Sequence, residues 1–201
     1  RHTRKGAVQW RTAVVMGLIG FGVAIIGATL AVHIPGQWLK MGFGVVALAA
    51  AIRMLLGKSK EAGSEPVKNQ WVWAAWAVPI GALTGLLGIG GGVLAVPVLV
   101  LALKFKIHNA VATSLGIMVF TSLGGIIGYM INGVNATGLP PYSIGYVYLP
   151  SWALLAASSI GMAQVGAVAA HKLSARKLGY IFVALQFYMG LRMLGVFEWL
   201  G

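Results

Sequence analysis

Five glycines fall within the first eight positions of the stretch GLLGIGGGVLAVPVLV, residues 85–100, in the middle of a strongly apolar segment. Glycine adopts backbone angles that other residues avoid, and it lets a ligand or a second helix approach closely. A helix that breaks here presents free backbone N–H groups at the start of its second arm, where such groups bind anions. The candidate substrate-binding residues of this turn are Gly88, Gly90, Gly91, Gly92 and Pro97.

The same glycines have a second interpretation. Small residues in membrane helices allow neighbouring helices to pack closely without contacting any ligand. A nucleotide-phosphate loop is not expected, because no Lys-Ser or Lys-Thr pair follows the glycines. The sequence therefore leaves two possibilities open, a substrate-binding turn and a packing surface.

Hydroxyl side chains supply further candidate donors. Thr113 and Ser114 lie near the start of the span that follows the glycines, and Thr121 and Ser122 come two turns later. The alternative for each hydroxyl is a hydrogen bond back to a carbonyl of its own helix. We count Thr113 and Ser114 as the stronger candidates for substrate contact.

Two amides complete the candidate site. Gln164 is a lone amide inside an apolar span, where it contacts either the substrate or another helix. Asn109 precedes a helix predicted at 110–131, so its expected role is a helix cap, with substrate contact as the alternative. Gln186 poses the same choice as Gln164, with a weaker case.

The composition is that of an integral membrane protein. Of the 201 residues, 59% are hydrophobic and 9% are charged, and apolar runs of about 20 residues, the length that crosses a bilayer, recur along the chain. Single crossings are predicted at about 12–32, 38–56, 108–131, 149–170 and 176–197. We expect an all-α, multi-pass protein of the cell membrane, which in a bacterium is the inner membrane.

The charge pattern fits a membrane protein better than a nucleic-acid binder. The formal net charge is +12, but the cations form short clusters between the apolar runs, which is typical of inward-facing loops. The expected partners are therefore the lipid bilayer and a small anion, and no nucleic acid.

Residues that bind metals or transfer protons are scarce. The chain has no cysteine, its four histidines all lie at the edges of predicted spans, and its three acids, Glu61, Glu65 and Glu198, lie outside the apolar part of every span. We therefore expect no metal site, no cofactor and no enzymatic activity.

The segment 71–103 does not fit a single crossing. As one helix its 33 residues would measure about 50 Å, against a hydrocarbon core of about 30 Å. Basic residues flank both of its ends, so both ends are predicted to lie inside the cell. We predict a re-entrant hairpin of two short helical arms that reverses at the glycines, with Pro79 and Pro97 bending or ending the arms.

An internal repeat aligns residues 11–55 with residues 150–194 at an offset of 139 positions, without a gap. The odd number of crossings between the copies gives them opposite orientations, as in inverted-repeat transporters. We therefore divide the chain into the C-terminal part of a first repeat, 1–57, a cytoplasmic linker, 58–70, and a second repeat, 71–201.

Four motifs carry a family resemblance: GLLGIGGGVLAVPVL, the NAVATSL of 109–115, GMAQVGAVAAHKLSARKL and the terminal GLRML. Together they resemble the TauE/SafE family of sulfite and organosulfonate exporters. The resemblance covers essentially the whole chain and implies secondary transport of small sulfur-containing or carboxylate anions, usually through two homologous halves. A counterpart of the block 71–138 is missing before the first half-repeat.

The sequence thus predicts a secondary transporter for a small anion such as sulfite, a sulfonate or a related organic acid. The alternative is a membrane scaffold that transports nothing and associates through glycine-rich helix faces. The unmatched block leads us to expect either a preceding N-terminal half or a homo-oligomer in which one chain supplies what the other lacks.

Overall fold

The structure, a computed structural model, describes residues 8–56 and 66–196, and this part of the chain is mostly helical. Its helices are α1 (Trp10–Ala31), α2 (Gly36–Leu56), α3 (Gln70–Leu87), α4 (Gly92–Pro97), α5 (Ile107–Asn132), α6 (Leu149–Lys172) and α7 (Ala175–Met193). A π-helical segment, Val98–Ala102, continues α4 directly. Two short strands, β1 (Ser143–Ile144) and β2 (Val147–Tyr148), pair antiparallel before α6.

Four of the described helices, α1, α2, α3 and α5, are long and apolar enough to cross a membrane. Helices α6 and α7, of 24 and 19 residues, cover the spans predicted at 149–170 and 176–197. The prediction of an all-α, multi-pass membrane protein is confirmed. Most of the predicted linker 58–70 lies outside the described residues.

Helix α1 lies between α3 and α5, and glycines bring the three backbones together. A Cβ on Gly81 of α3 would lie 2.6 Å from the carbonyl oxygen of Gly20 in α1, and a Cβ on Gly27 would lie 2.6 Å from the carbonyl oxygen of Ala82. On the other side, a Cβ on Gly128 of α5 would lie 2.7 Å from the Cβ of Ala28. Larger residues at these positions would separate the helices.

Helices α1 and α5 run in the same direction, because hydrogen bonds join them at both ends. The backbone N–H of Gln9 donates to Thr113 Oγ1 over 3.1 Å near their starts. Near their ends, Asn132 Nδ2 donates to Thr29 Oγ1 over 2.9 Å. The starts of α1 and α5 therefore lie at the same end of the bundle, as the charge pattern predicts.

The segment around the glycines does reverse direction. The backbone N–H of Val67, just before α3, donates to the carbonyl of Leu103, just after the π-helical segment, over 3.1 Å. Trp73 secures this junction, because its indole Nε1 donates to the carbonyl of Val67 over 2.7 Å. Both ends of the excursion thus lie at one end of the bundle.

The arms of this hairpin are unequal, and here the prediction of two short arms is wrong. The first arm, α3, has 18 residues and can cross a membrane, whereas the second arm spans only Gly92–Ala102. Pro79 does not end the first arm but lies inside α3, which continues to Leu87. Packing along α1 supports α3 beyond the proline, so the helix ends only where Gly88 adopts a left-handed conformation.

Helices α2 and α7 form a second, antiparallel pair. A Cβ on Gly190 of α7 would lie 2.8 Å from Leu48 Cγ, and a Cβ on Gly44 of α2 would lie 2.9 Å from the Gly190 carbonyl oxygen. The buried positions of the two helices match in the repeat register: Gly44 with Val183, Ala47 with Gln186, and Ala51 with Gly190. Equivalent faces of the two copies therefore pack against each other, which supports the proposed repeat.

The hairpin can be tested in this cysteine-free chain by labelling from one side of the membrane. Cysteines introduced by Lys68→Cys and Lys106→Cys, at exposed positions flanking the hairpin, should react with an impermeant maleimide from the same side. Val134→Cys, in the loop after α5 and 71% exposed, should react from the opposite side. Labelling of Lys68→Cys and Lys106→Cys from opposite sides would contradict the fold.

Neighbouring glycines on α5 test whether backbone approach holds the bundle together. A Cβ on Gly124 would overlap the backbone of Phe21, whereas a Cβ on Gly125 would meet nothing within 4 Å. We expect Gly124→Ala to lower the free energy of unfolding by about 1–3 kcal/mol through overpacking. The control Gly125→Ala should change it by less than about 1 kcal/mol, because alanine favours helix. Equal unfolding curves for the two purified variants would refute this role.

Candidate functional site

The turn between α3 and α4 requires glycine for its backbone conformation. Gly88, Gly90 and Gly91 have φ angles of 66°, 72° and 71°, which lie in the left-handed region that other residues rarely enter. The N–H of Gly88 donates to the Thr84 carbonyl over 2.8 Å and closes α3. The three glycines thus form a tight reversal, the glycine turn, which we define as residues 88–92.

The glycine turn packs closely on α3 and α5. A Cβ on Gly91 would overlap Thr84 Oγ1, and a Cβ on Gly92 would lie 2.6 Å from Met118 Sδ. The hydroxyl of Thr121 lies 3.2 Å from the Ile117 carbonyl of its own helix and 3.4 Å from the Gly90 carbonyl, between which its one proton is shared. Ser122 Oγ would lie 3.1 Å from a Cβ on Gly90. The packing role of these glycines is therefore a feature of the structure, whatever they bind.

Packing leaves backbone donors of the turn unused. Among the described residues, the backbone N–H groups of Gly90 and Gly91 have no hydrogen-bond acceptor. Amides without an internal acceptor at membrane depth require a ligand or water, because hydrocarbon offers none. The glycine turn therefore packs closely on its neighbouring helices and still has backbone N–H groups that can donate hydrogen bonds to a ligand.

Pro97 and Gln186 form a polar junction next to the turn. Proline has no N–H, so the carbonyl of Val93, four residues earlier, receives no helical hydrogen bond from position 97. The Gln186 side chain on α7 replaces it, with Nε2 donating to the Val93 carbonyl over 2.6 Å. Gln186 is 2% exposed, and its Oε1 is buried without a hydrogen-bond partner among the described residues.

Sequence reasoning ranks Gln186 below Gln164, yet the structure brings Gln186 to the broken helix. The missing N–H of Pro97 predicts an unpaired carbonyl at Val93, but only the packing of α7 on α4 identifies the donor. Gln164 lies on α6, and its side chain is outside the described residues. Its proposed contact with substrate stays a prediction.

Thr113 and Ser114 are buried, but both have structural partners away from the turn. Thr113 Oγ1 accepts the Gln9 N–H over 3.1 Å. The Ser114 hydroxyl donates to the Val111 carbonyl of its own helix over 2.8 Å, which is the back-bonding alternative. The hydroxyls that approach the glycine turn belong to Thr84, Thr121 and Ser122.

Asn109 does not cap its helix, so this part of the prediction is wrong. Helix α5 begins at Ile107, with Lys106 in an extended conformation at the cap position. The Ala110 N–H already donates to the Lys106 carbonyl over 2.9 Å. Asn109 therefore lies within the first turn of α5.

A small apolar cavity lies beside the glycine turn. Its lining residues are Phe43, Leu83, Leu87, Ile89, Gly91, Val93 and Leu94, and its volume is about 10 Å³. This volume holds about one water molecule and is too small for an oxyanion with three oxygens. Within residues 8–56 and 66–196, no three or more His, Cys, Asp or Glu side chains lie close enough to hold a metal ion.

The junction between Pro97 and Gln186 can be tested with a double-mutant cycle. Gln186→Leu leaves the buried Val93 carbonyl without a donor and should lower the free energy of unfolding by about 1–3 kcal/mol. Pro97→Ala supplies an N–H to the same carbonyl, so Gln186→Leu should cost less in that background. Chemical unfolding of the four proteins measures the coupling, and additive effects would contradict it.

Comparison with known proteins agrees with this architecture. The family model described as Sulfite exporter TauE/SafE matches residues 1–193. No solved structure matches the chain.

Several relatives are named as probable membrane transporter proteins. MJ0441 of Methanocaldococcus jannaschii is 31% identical over 195 residues, which are 96% of this chain and 72% of the relative. A protein of Haemophilus influenzae is 26% identical over 94% of this chain and 74% of its own length. One of Xylella fastidiosa is 36% identical over 57% of this chain and 45% of its own length. By the family match and its helices, this chain belongs to the TauE/SafE family of multi-pass membrane transporters.

Proposed function

We propose that this protein is a secondary carrier of small anions, with sulfite, sulfonates or related organic acids as its substrates. The observation that carries the proposal is the pair of free N–H groups at Gly90 and Gly91, in a break between two membrane-embedded helical arms. The family's description as sulfite exporters supports an oxyanion, whereas the printed names of the relatives specify no substrate. The bacterial inner membrane is the proposed location.

The chemistry of the turn suits an oxyanion that must bind and then leave. Sulfite and sulfonate oxygens accept hydrogen bonds, and backbone N–H groups donate them without carrying a full charge. A carrier needs an interaction strong enough for entry and weak enough for release. Neutral donors at Gly90 and Gly91 meet both conditions better than a buried arginine.

The turn supplies one side of the proposed site. The adjoining cavity is apolar and holds about one water molecule, so a bound oxyanion needs a wider space and a facing wall. In transporters with inverted repeats, the substrate lies between the two repeats near the middle of the membrane. We therefore expect the anion to lie between the glycine turn and a second surface that the described residues do not provide.

Two glycines of the turn offer a matched pair of variants. Gly88→Ala and Gly90→Ala introduce the same methyl group at nearly the same left-handed φ angle, so each costs about 1–2 kcal/mol of backbone strain. The methyl group at Gly90 also lies 3.0 Å from Met118 Cε, at the end of a flexible side chain. The N–H of Gly88 is already bonded to Thr84, whereas a methyl group at Gly90 stands beside the two free donors. Gly90→Ala should weaken sulfite binding about tenfold more than Gly88→Ala, a difference of about 1.4 kcal/mol.

Binding is measured by calorimetry on purified protein, and flux by sulfite, taurine and acetate uptake into proteoliposomes. Both measurements use the polypeptide that the natural gene encodes. Saturable flux of at least one anion, reduced in Gly90→Ala, supports the carrier. Equal sulfite affinity of the two variants would show that the glycine turn is not part of the binding site. Absence of both binding and flux across the anion panel would favour the non-transporting scaffold.

A further inference from the structure

The end of the bundle at which α1, α3 and α5 begin is strongly basic. At the opposite end, the described residues include only Lys40 and Arg192 as Lys or Arg. None of the chain's three acids lies within residues 8–56 and 66–196, so no carboxylate of this part balances the charge. The exposed cations of the basic end are Arg11, Arg53, Lys68, Lys104, Lys106, Arg176 and Lys177.

The starts of α5 and α7 lie side by side at this end. His108, in the first turn of α5, donates from Nε2 to the carbonyl of Leu173 over 3.0 Å, two residues before α7 begins. A Cβ on Gly179 of α7 would lie 3.5 Å from Ile107 Cδ1 of α5, which is ordinary van der Waals distance. The two helix starts therefore form the walls of one cleft.

Exposed cations stand on both walls of this cleft. Lys106 lies two residues before His108, and Arg176 and Lys177 lie within four residues of Leu173. We call the cleft with these three cations, Lys106, Arg176 and Lys177, the basic groove. Like charges on adjacent helices repel each other, so an anion between the walls would stabilise the contact of α7 with α5.

The acids of this chain do not supply that anion. Glu61 and Glu65 share the linker 58–70 with three lysines, so the linker has no net negative charge. Glu198 follows the end of α7, which lies about 28 Å along the helix from its start. The groove therefore suits an anion from outside the chain.

Exposed aromatic side chains mark the depth of the lipid headgroups at the basic end. Tyr180 is 61% exposed and lies one turn after Arg176, and Trp10 is 50% exposed and precedes Arg11. Tyrosine and tryptophan in such positions lie at the boundary between headgroups and hydrocarbon. The cations beside them are thus at the level of lipid phosphates, which favours a lipid over a soluble anion.

We propose that the basic groove binds the headgroup of an anionic phospholipid of the inner leaflet, whose phosphate bridges Lys106 to Arg176 and Lys177. The cytoplasmic leaflet is rich in anionic lipids, and basic clefts between membrane helices bind their headgroups. The bound lipid holds the start of α7 against α5. This surface is independent of which anion, if any, the protein carries.

The two helices that the lipid joins are also helices that contact the glycine turn. The hydroxyl of Thr121 on α5 lies 3.4 Å from the Gly90 carbonyl, and Gln186 on α7 donates to the Val93 carbonyl. Gln186 follows Arg176 by ten residues, or about 15 Å along the helix. A lipid in the groove therefore stabilises the frame around the turn without reaching it.

Binding of fluorescent phosphatidylglycerol to the purified polypeptide that the natural gene encodes tests the groove. Arg176→Gln and Lys177→Gln should each weaken this binding about fivefold, the contribution of one cation near an anionic lipid surface. Arg176→Lys keeps the charge and should stay within about twofold of the unmodified protein. The control Arg11→Gln removes the same charge at the same end of the bundle but outside the groove, and should also stay within about twofold.

Competition and thermal unfolding complete the test. Neither phosphatidylcholine nor excess inorganic phosphate should displace the fluorescent lipid, and displacement by inorganic phosphate would overturn the proposal by making the groove a site for a free anion. Phosphatidylglycerol should raise the unfolding temperature of Arg11→Gln more than that of Arg176→Gln, since only the former keeps the groove intact. Equal effects of these two variants on lipid affinity and unfolding temperature would assign the binding to surface charge alone and would also overturn it.

Discussion

The close approach of helix backbones at glycine is the constraint on which this structure depends. Lipid is as apolar as leucine, so membrane helices gain little from hiding apolar side chains and associate through tight contact and hydrogen bonds. At Gly81 the backbone of α3 lies so close to Gly20 of α1 that a single methyl group does not fit. This contact fixes α3, and α3 in turn fixes the level at which the glycine turn reverses.

A break in a membrane helix creates unpaired polar groups, and this fold treats its donors and acceptors differently. The carbonyl of Val93, released by Pro97, is satisfied by Gln186 from α7. The N–H groups of Gly90 and Gly91 have no acceptor in the described part of the chain. The hydrogen bond from Gln186 to Val93 therefore holds the turn against α7, whereas the two N–H groups stay unpaired. Because α7 also packs on α2, the turn is mechanically tied to the second helix pair.

The helix pairs α1–α2 and α6–α7 correspond to each other in the repeat register. Both α2 and α7 bury the same register positions against each other, while α1 is enclosed and its counterpart α6 is open. Helix α1 is enclosed because the hairpin of the second repeat and α5 pack against it.

The sequence by itself determined the membrane class, the helix number, the reversal of the hairpin and the family, because hydropathy, charge asymmetry and the glycine motif are local signals. It also located the glycine turn. Tertiary structure decided which side chains lie around that turn. Thr113 and Ser114, the stronger candidates from the sequence, form hydrogen bonds away from the turn. Gln186, the weaker candidate, donates a hydrogen bond to the Val93 carbonyl. A residue's partners depend on the packing angle and rotation of whole helices. Helix α3 likewise runs through Pro79 because α1 supports it, a long-range contact that no local pattern encodes.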